Sequence, residues 1–128
     1  MIVALKPGVT KENRQQLMDW LQNLGLHIHV SEGLNDVYDS GLRYGTRSVN
    51  RLLNNGILGE RTMLGHCIHL NSGEIDILRD TGTMVCNNAE SNMGNAVGCA
   101  PIRQMMEKGV LVGMGTDSYT FDMLEALK

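Results

Sequence analysis

Short β-rich runs alternate with helical patterns along this chain, and that order constrains its fold more than any other feature. Parallel strands need a connection long enough to cross the sheet, and a helix is its usual form. The alternation therefore predicts an α/β fold with a mainly parallel sheet. The predicted strands cover residues 2–5, 26–30, 61–65, 83–86 and 110–115, and the helical patterns cover residues 10–24, 35–55, 72–78, 100–108 and the chain from about 120 onward.

Local signals set the expected helix ends and buried faces. Thr10 is expected to cap the first helix and Gly25 to end it, and Ser72 to cap a later helix. Asn54, Asn55 and Gly56 form a turn signal that stops the helical pattern before them. Two apolar stripes are expected to face the core, namely Leu17, Trp20, Leu21 and Leu24 in the first helix and Val49, Leu52 and Leu53 in a later one.

Polar side chains follow the apolar strands at the point where each strand ends. The segments are HIHVSE at 27–32, MLGHCIH at 63–69, MVCNN at 84–88 and VGMGTD at 112–117. In a (β/α) barrel the carboxyl ends of the strands converge on one face, and the chemistry of such barrels lies there. The sequence therefore predicts that these four segments share one cavity.

The first of these segments contains an H-x-x-E pair. His29 would point into the cavity as a metal ligand, with Glu32 following on the loop as a proton carrier. The plain alternative is that His29 ends a strand and Glu32 is a solvated acid. His27 lies on the same side of the strand as His29, so it is either a second ligand or a packed residue deeper in the sheet.

Two further residues complete the candidate set. His66 could orient an activated water or a substrate carbonyl, or it could be a hydrogen-bonded core histidine. Asp117 could bind a metal and accept a proton from water, or it could cap a following helix. His69 has no primary role in this interpretation, and Cys67 is expected to be a buried structural thiol.

The segment SNMGNAVG at 91–98 is rich in glycine and asparagine. Its Gly94, Gly98, Asn92 and Asn95 could position a substrate through backbone groups, although such clusters are commonly turns. No phosphate-binding lysine signature accompanies them.

Composition excludes several classes of function. The net charge is −3 and basic residues are scattered singly, so nucleic-acid binding is not expected. The three cysteines have no C-x-x-C spacing, which argues against a disulfide framework and fits a reducing cytoplasm. No export signal or long apolar run is evident, so membrane association is not expected either.

The segments HIHVSEGLNDVYDS, ILGERTMLGHCIHL, NNAESNMGNAVGCAP and VGMGTDSYTFDMLEALK closely resemble the metal-dependent amidohydrolases over residues 27–128. Within them the similarity is strongest to the SsnA-like aminohydrolases, near the chlorohydrolases and the guanine or adenosine-type deaminases. The resemblance implies about half of a (β/α)8 TIM-type barrel. It also implies hydrolytic deamination of a small purine-like molecule or other nitrogen heterocycle.

By this resemblance His29 and Asp117 are metal ligands, Glu32 is the proton shuttle, and His66 orients water or substrate. The implied cofactor is a divalent metal, zinc before iron. Two departures affect loop rigidity more than ligation: Asn88-Ala89 stands where relatives often have Asn-Pro, and GTDS stands where they often have GTDG or GTDA. The family's first-strand H-x-H ligands are absent, so reduced activity or none is expected of the chain alone.

The expected organisation is a single half-barrel-like domain over 1–128. Residues 1–33 also resemble the N-terminal ferredoxin-like domain of 3-deoxyheptulosonate-phosphate synthases, which suggests a foreign strand-helix-strand unit. A whole barrel typically needs about 250 residues. Because half a barrel leaves sheet edges open, the alternative hypothesis is a non-catalytic, self-associating half-barrel or a regulatory or binding module, with a homo-oligomer as one outcome.

Overall fold

Four parallel strands form the sheet that positions the candidate residues. The computed structural model describes residues 8–127, with Gln22 by its backbone only. The strands are β1 Leu26–Val30, β2 Thr62–His66, β3 Met84–Asn87 and β4 Val112–Met114, and they are neighbours in chain order. The predicted parallel α/β fold is therefore confirmed, whereas the strand predicted over residues 2–5 lies outside the described residues.

In the described part of the chain, six helices connect or flank these strands. They are α1 Lys11–Leu24, α2 Leu34–Tyr44, α3 Ser48–Asn54, α4 Ser72–Thr81, α5 Ala89–Gly94 and α6 Ile102–Glu107. Thr10 caps α1 as predicted, since its hydroxyl accepts a hydrogen bond from the Asn13 amide at 3.2 Å. Gly82 ends α4 in a left-handed conformation, with φ 68°.

Three local predictions are wrong. Asn71 and not Ser72 caps α4, because the Asn71 side chain accepts from the Glu74 amide at 2.9 Å. Residues 89–94 form a short helix where only turns were weighed. Residues 123–127 form turns in place of the predicted helix, although the Asp122 carboxylate accepts from the Leu124 and Glu125 amides as a helix N-cap does.

The predicted apolar stripes are only partly buried. Val49 is fully buried, but Leu53 is exposed at the surface of α3. In α1, Trp20 and Leu24 are also exposed. Helical periodicity correctly identified one apolar face on each of the two helices. Parts of both faces are not packed against other described residues.

The hydrophobic core lies on one side of the sheet. The strand register aligns Ile28 with Leu64, Leu64 with Val85, and Val85 with Val112. Side chains of aligned residues in a sheet point to the same side, so these residues form one continuous apolar row. Residues from the helices and loops complete the core against it: Val49, Leu58, Ile75, Leu78, Met105 and Val110.

The opposite side of the sheet carries a different set of residues. His29, Gly65, Cys86 and Gly113 are aligned across it, and His27 is aligned with Met63 one step below. His27 is exposed to solvent. Successive parallel strands with helices packed on one side are the arrangement of consecutive units in a (β/α) barrel, whose other side is the barrel interior. The structure therefore has the architecture of a partial barrel.

Within residues 8–127, none of the helices has the length and apolar character needed to span a bilayer.

A buried carboxylate fastens the helical layer. Glu74 is 1% exposed, and it accepts hydrogen bonds from Arg47 Nε at 2.7 Å, the Asn71 amide at 3.1 Å and the Val49 amide at 3.3 Å. Arg47 Nη2 also donates to the His69 carbonyl at 2.6 Å. Glu74 thus joins the starts of α3 and α4 to the loop that follows β2.

We expect Glu74→Ala to lower the free energy of unfolding by about 3 kcal/mol, because it leaves Arg47 and two amides without their acceptor. The exposed Glu107, paired with Arg103 within α6, provides the control: Glu107→Ala should change stability by less than about 0.5 kcal/mol. Urea denaturation followed by circular dichroism measures both. Equal stability losses in the two variants would contradict a structural role for Glu74.

Candidate active site

The carboxyl ends of the strands meet at one edge of the sheet, as the sequence predicts. His29 lies in β1 and Glu32 just after it, His66 ends β2, and Asp117 follows β4. The backbone is left-handed at three of these ends, with φ 50° at Ser31, 66° at His66 and 52° at Asp117. Such values are uncommon for residues other than glycine and recur at functional sites, where surrounding contacts hold them in place.

Four ligand-type side chains converge at this edge. His66 Nε2 lies 3.6 Å from Glu32 Oε2 and 3.6 Å from Asp117 Oδ2, and His29 Nε2 lies 3.8 Å from Asp117 Oδ1. The His29 and His66 rings meet edge to face, with 4.7 Å between their centroids. The structure thus brings together all four residues that the sequence singled out.

This donor set fits a divalent cation. Donor atoms of His29, Glu32 and His66 all lie within 4.8 Å of one another. Two ligands of one tetrahedral zinc ion, each about 2.1 Å from it, are about 3.4 Å apart. The His29–Asp117 separation of 3.8 Å is close to that spacing. Imidazole nitrogens and carboxylate oxygens are also common ligands of zinc and iron.

Neutral amides surround the His66 ring, which is fully buried. Its Nδ1 lies 2.8 Å from Asn92 Oδ1, and its Nε2 lies 3.4 Å from Asn88 Nδ2. Because an amide oxygen can only accept, the contact with Asn92 Oδ1 requires a proton on Nδ1. Nε2 is the nitrogen that faces Glu32 and Asp117.

Side chains from α5 and its C-terminus contact the two carboxylates. Ser91 Oγ donates to Asp117 Oδ2 at 2.8 Å, and Asn95 Nδ2 donates to Glu32 Oε1 at 3.4 Å. Sequence reasoning missed Ser91, included Asn88 only as the end of the segment MVCNN, and considered Asn92 and Asn95 as possible backbone contacts to a substrate. Asn88 directly follows β3, which is the signal that also identified His66 and Asp117.

The glycines of this segment have packing roles. A Cβ on Gly94 would collide with the Tyr119 ring, and one on Gly98 would contact Ile68 at 3.4 Å. Gly94 therefore lets Tyr119, two residues beyond Asp117, pack closely against α5.

The remaining histidines lie beside the cluster. His27 is adjacent to His29, with 5.4 Å between ring centroids, and its ring meets the cluster of His29, Glu32, His66 and Asp117 only through His29 in the contacts described. His69 Nε2 lies 3.1 Å from the Val97 carbonyl oxygen, so its ring bridges two loops behind the site. His69 accordingly has a structural contact and no place in the cluster.

The two buried thiols differ from a reactive cysteine. Burial raises the pKa of the Cys67 thiol to about 12, with further contributions from Glu74 and Cys86. Burial, followed by the negative charge of Asp117, also raises the pKa of Cys86, whose Sγ donates to Asn88 Oδ1 at 3.4 Å. The expectation that Cys67 is a buried thiol is confirmed.

Comparison with known proteins identifies relatives of the whole chain. The sequence matches the model of the amidohydrolase family over residues 1–128. A 5-methylthioadenosine/S-adenosylhomocysteine deaminase of Syntrophomonas wolfei is 39% identical over 127 residues, which cover 95% of this chain and 29% of that protein. A 5'-deoxyadenosine deaminase of Methanosarcina mazei is 40% identical over 108 residues, which cover 81% of this chain and 25% of that protein.

Solved structures show the same relationship. The guanine deaminase of E. coli superposes with a TM-score of 0.83 at 26% identity, covering 95% of this chain and 30% of that one. An adenosine deaminase of Xanthomonas campestris with bound zinc superposes with a TM-score of 0.74 at 30% identity, covering 84% and 25%. The chain thus spans between a quarter and a third of the length of these relatives.

We expect Cys99, which is exposed, to react with iodoacetamide in the folded chain at about pH 8, and Cys67 to stay unmodified until the chain unfolds. A thiol with a pKa of about 12 is ionised to only about one part in 10⁴ at that pH, and the thiolate is the reactive form. Timed labelling followed by peptide mass spectrometry measures each site, with labelling in urea as the control. Modification of Cys67 at the rate of Cys99 would contradict this environment.

Proposed function

Because the chain belongs to the amidohydrolase family, we propose that it forms part of the active site of a metal-dependent deaminase, which hydrolyses C–N bonds other than peptide bonds. The observation that supports this most strongly is the convergence of His29, Glu32, His66 and Asp117 at one sheet edge, with contacts of 3.6 to 3.8 Å. The proposal extends to the SsnA-like aminohydrolases within the family and to a cytoplasmic location.

His29 and Asp117 would hold the metal ion, zinc in the first instance and iron in the second. A bound divalent ion supplies a Lewis acid that makes water nucleophilic near neutral pH. Zinc sites in proteins usually have three or four protein ligands. We therefore propose that His29 and Asp117 alone bind weakly, unless His27, His66 or residues of another chain contribute, and that the activity of this chain alone is reduced or absent.

Glu32 is placed to move the protons. Deamination adds water to an amidine-like carbon, transfers a proton to the ring nitrogen and another to the departing amine, and releases ammonia. Glu32 is partly exposed, lies beside His66 Nε2, and receives a donor from Asn95, so its carboxylate is accessible and oriented. A positioned carboxylate of this kind can act alternately as base and acid.

His66 would orient the reacting oxygen. Its ring is buried and held from both sides by amides, so Nε2 has a fixed direction toward the cluster. A fixed, preorganised group costs little reorganisation during reaction. This is the role that the sequence resemblance implies for His66.

The proposed substrate is a small nitrogen heterocycle with an exocyclic amino group. This class is supported by the names of the relatives, which act on adenosine derivatives or guanine.

On the organisation of the chain, we propose one half-barrel-like domain over residues 1–128 whose amidohydrolase-like segment is residues 27–128. A separate origin of residues 1–33, with their resemblance to the synthase domain, stays a proposal.

Sheet edges and a sheet face that the described part of the chain leaves uncovered also support self-association as a second property. On the side opposite the core, His27, Met63 and Met84 are aligned across the sheet, and Leu111, directly before β4, is 66% exposed. Exposed apolar surface of this kind commonly marks an interface. We propose that two copies pair through this face, which on its own is compatible with a non-catalytic scaffold or binding module.

We expect His29→Ala and Asp117→Ala each to weaken zinc binding more than about 100-fold, since loss of a group that merely supports a ligand already costs about 10- to 100-fold. Competition titration with a chromogenic chelator measures the affinity. His69→Ala is the matched control and should retain wild-type affinity, because its ring contacts Val97 outside the cluster. Ammonia release from adenosine, 5'-deoxyadenosine and guanine tests the reaction. A wild-type chain that does not bind zinc would refute the metal-dependent proposal for this chain, whereas any zinc-dependent ammonia release would support it.

For self-association, we expect the wild-type chain to form dimers in light scattering at micromolar concentration, and Leu111→Lys to weaken the dimer about tenfold or more by placing a charge in the apolar face. Leu42→Lys is the control, since Leu42 is the same residue type and at 88% is more exposed than Leu111, but lies on α2. A monomeric wild-type chain, or equal effects of both variants, would contradict pairing through the sheet face.

A further inference from the structure

The short helix α5 and the residue just beyond its end reach three members of the cluster. Ser91 contacts Asp117, Asn92 contacts His66, and Asn95 contacts Glu32. We propose that Asn92 is a positioning residue that sets the tautomer of His66, so that the unprotonated Nε2 faces the two carboxylates. The relevance of this tautomer to catalysis rests on the function proposed above. The assignment of the tautomer rests only on the hydrogen bonds of the ring.

Hydrogen-bond chemistry on both ring nitrogens supports one tautomer. Asn92 Oδ1 accepts from Nδ1 at 2.8 Å, so Nδ1 carries the proton. On the other side, Cys86 Sγ donates to Asn88 Oδ1, which turns the Asn88 amino group toward Nε2. Moving the proton to Nε2 would place two acceptors against each other at Nδ1, in a fully buried ring, and would set Nε2–H against the Asn88 amino group at 3.4 Å, closer than the carboxylates of Glu32 and Asp117 at 3.6 Å.

Asn92 is held firmly enough to impose this choice. Its side chain is 2% exposed, its backbone amide donates to the Asn88 carbonyl at 2.9 Å, and its carbonyl accepts from the Val97 amide at 3.1 Å. These backbone contacts fix where the Asn92 amide lies, and Oδ1 is the atom that faces Nδ1. In buried sites of low dielectric, mismatched polar contacts are costly, so an amide oxygen at this place favours the tautomer with the proton on Nδ1.

Ser91 and Asn95 show that α5 serves the site as a whole. Ser91, which is also 2% exposed, donates a hydrogen bond to Asp117 Oδ2. The other carboxylate oxygen, Oδ1, faces His29. Asn95 Nδ2 is shared between Glu32 and Ser91 Oγ. Since the groups in contact with Asp117, His66 and Glu32 come from one segment, their mutual orientation is set by a single local backbone.

The test is the protonation state of His66 Nδ1 in the metal-free full chain, measured by long-range ¹H–¹⁵N NMR at a pH where the ring is neutral. In the wild type we expect Nδ1 at the protonated position and Nε2 at the unprotonated position. Asn92→Ala should shift Nδ1 toward the unprotonated position. Asn92→Asp keeps an acceptor in the same place and should keep the proton on Nδ1, and it serves where Asn92→Ala does not fold.

Asn71→Ala is the matched control, because Asn71 caps α4 and does not contact His66. It should lower stability and leave the tautomer unchanged. Three results would overturn the proposal: an Asn92→Ala ring that keeps its proton on Nδ1, an Asn92→Asp ring that loses it, or the same shift in Asn71→Ala. Since no metal or substrate is present, failure of the deaminase proposal would not alter these results, and failure here would leave zinc binding and ammonia release to be judged separately.

Discussion

The in-order parallel register of four short strands is the constraint on which the rest of the structure depends. It aligns Ile28, Leu64, Val85 and Val112 into one buried row, and it brings the carboxyl ends of all four strands to the same edge. A shift of one residue in any strand would exchange its two faces, so that a core residue and a site residue would trade places. Stability and the candidate chemistry therefore depend on the same backbone pairing.

Close backbone approach at the strand ends is part of this arrangement. A Cβ on Gly115 would overlap the side chains of Asn88 and Cys86, so the chain after β4 can approach β3 only with glycine at this position. Gly115 stands two residues before Asp117, and its amide donates to the Asn87 carbonyl at 3.0 Å. Loss of this approach would move Asp117 away from His66 and His29, which reach it from β2 and β1.

The site combines charged groups at its centre with neutral amides and hydroxyls around them. Two imidazoles and two carboxylates face one another, while Asn88, Ser91 and Asn92 bind them from the side of β3 and α5. Neutral partners fix direction without adding charge, so the carboxylates and imidazoles stay available for a cation or a proton. Buried polar networks of this kind are stable only when their members are hydrogen-bonded, which makes α5 as important to the site as the strands.

Much of this molecule was determined by its sequence alone. The strands over 26–30, 61–65 and 83–86 were predicted within one residue of β1, β2 and β3, because apolar alternation and turn residues are local signals. The polar residue types at the strand ends were equally local signals, and the resemblance to the amidohydrolases then assigned site roles to His29, Glu32, His66 and Asp117. The helix α5 was missed because its six residues, AESNMG, carry no apolar stripe. The helix expected after Thr120 is absent from residues 120–127, where Phe121 is 95% exposed and Asp122 caps turns.

Tertiary structure decided which atoms meet. Asn92 and not a substrate contacts His66 Nδ1, Ser91 contacts Asp117, and His69 lies outside the cluster. These contacts join residues that are far apart in the sequence. Whether their atoms come within a few ångströms depends on the strand register, on the backbone conformation at the strand ends and on packing, and no local sequence pattern encodes these.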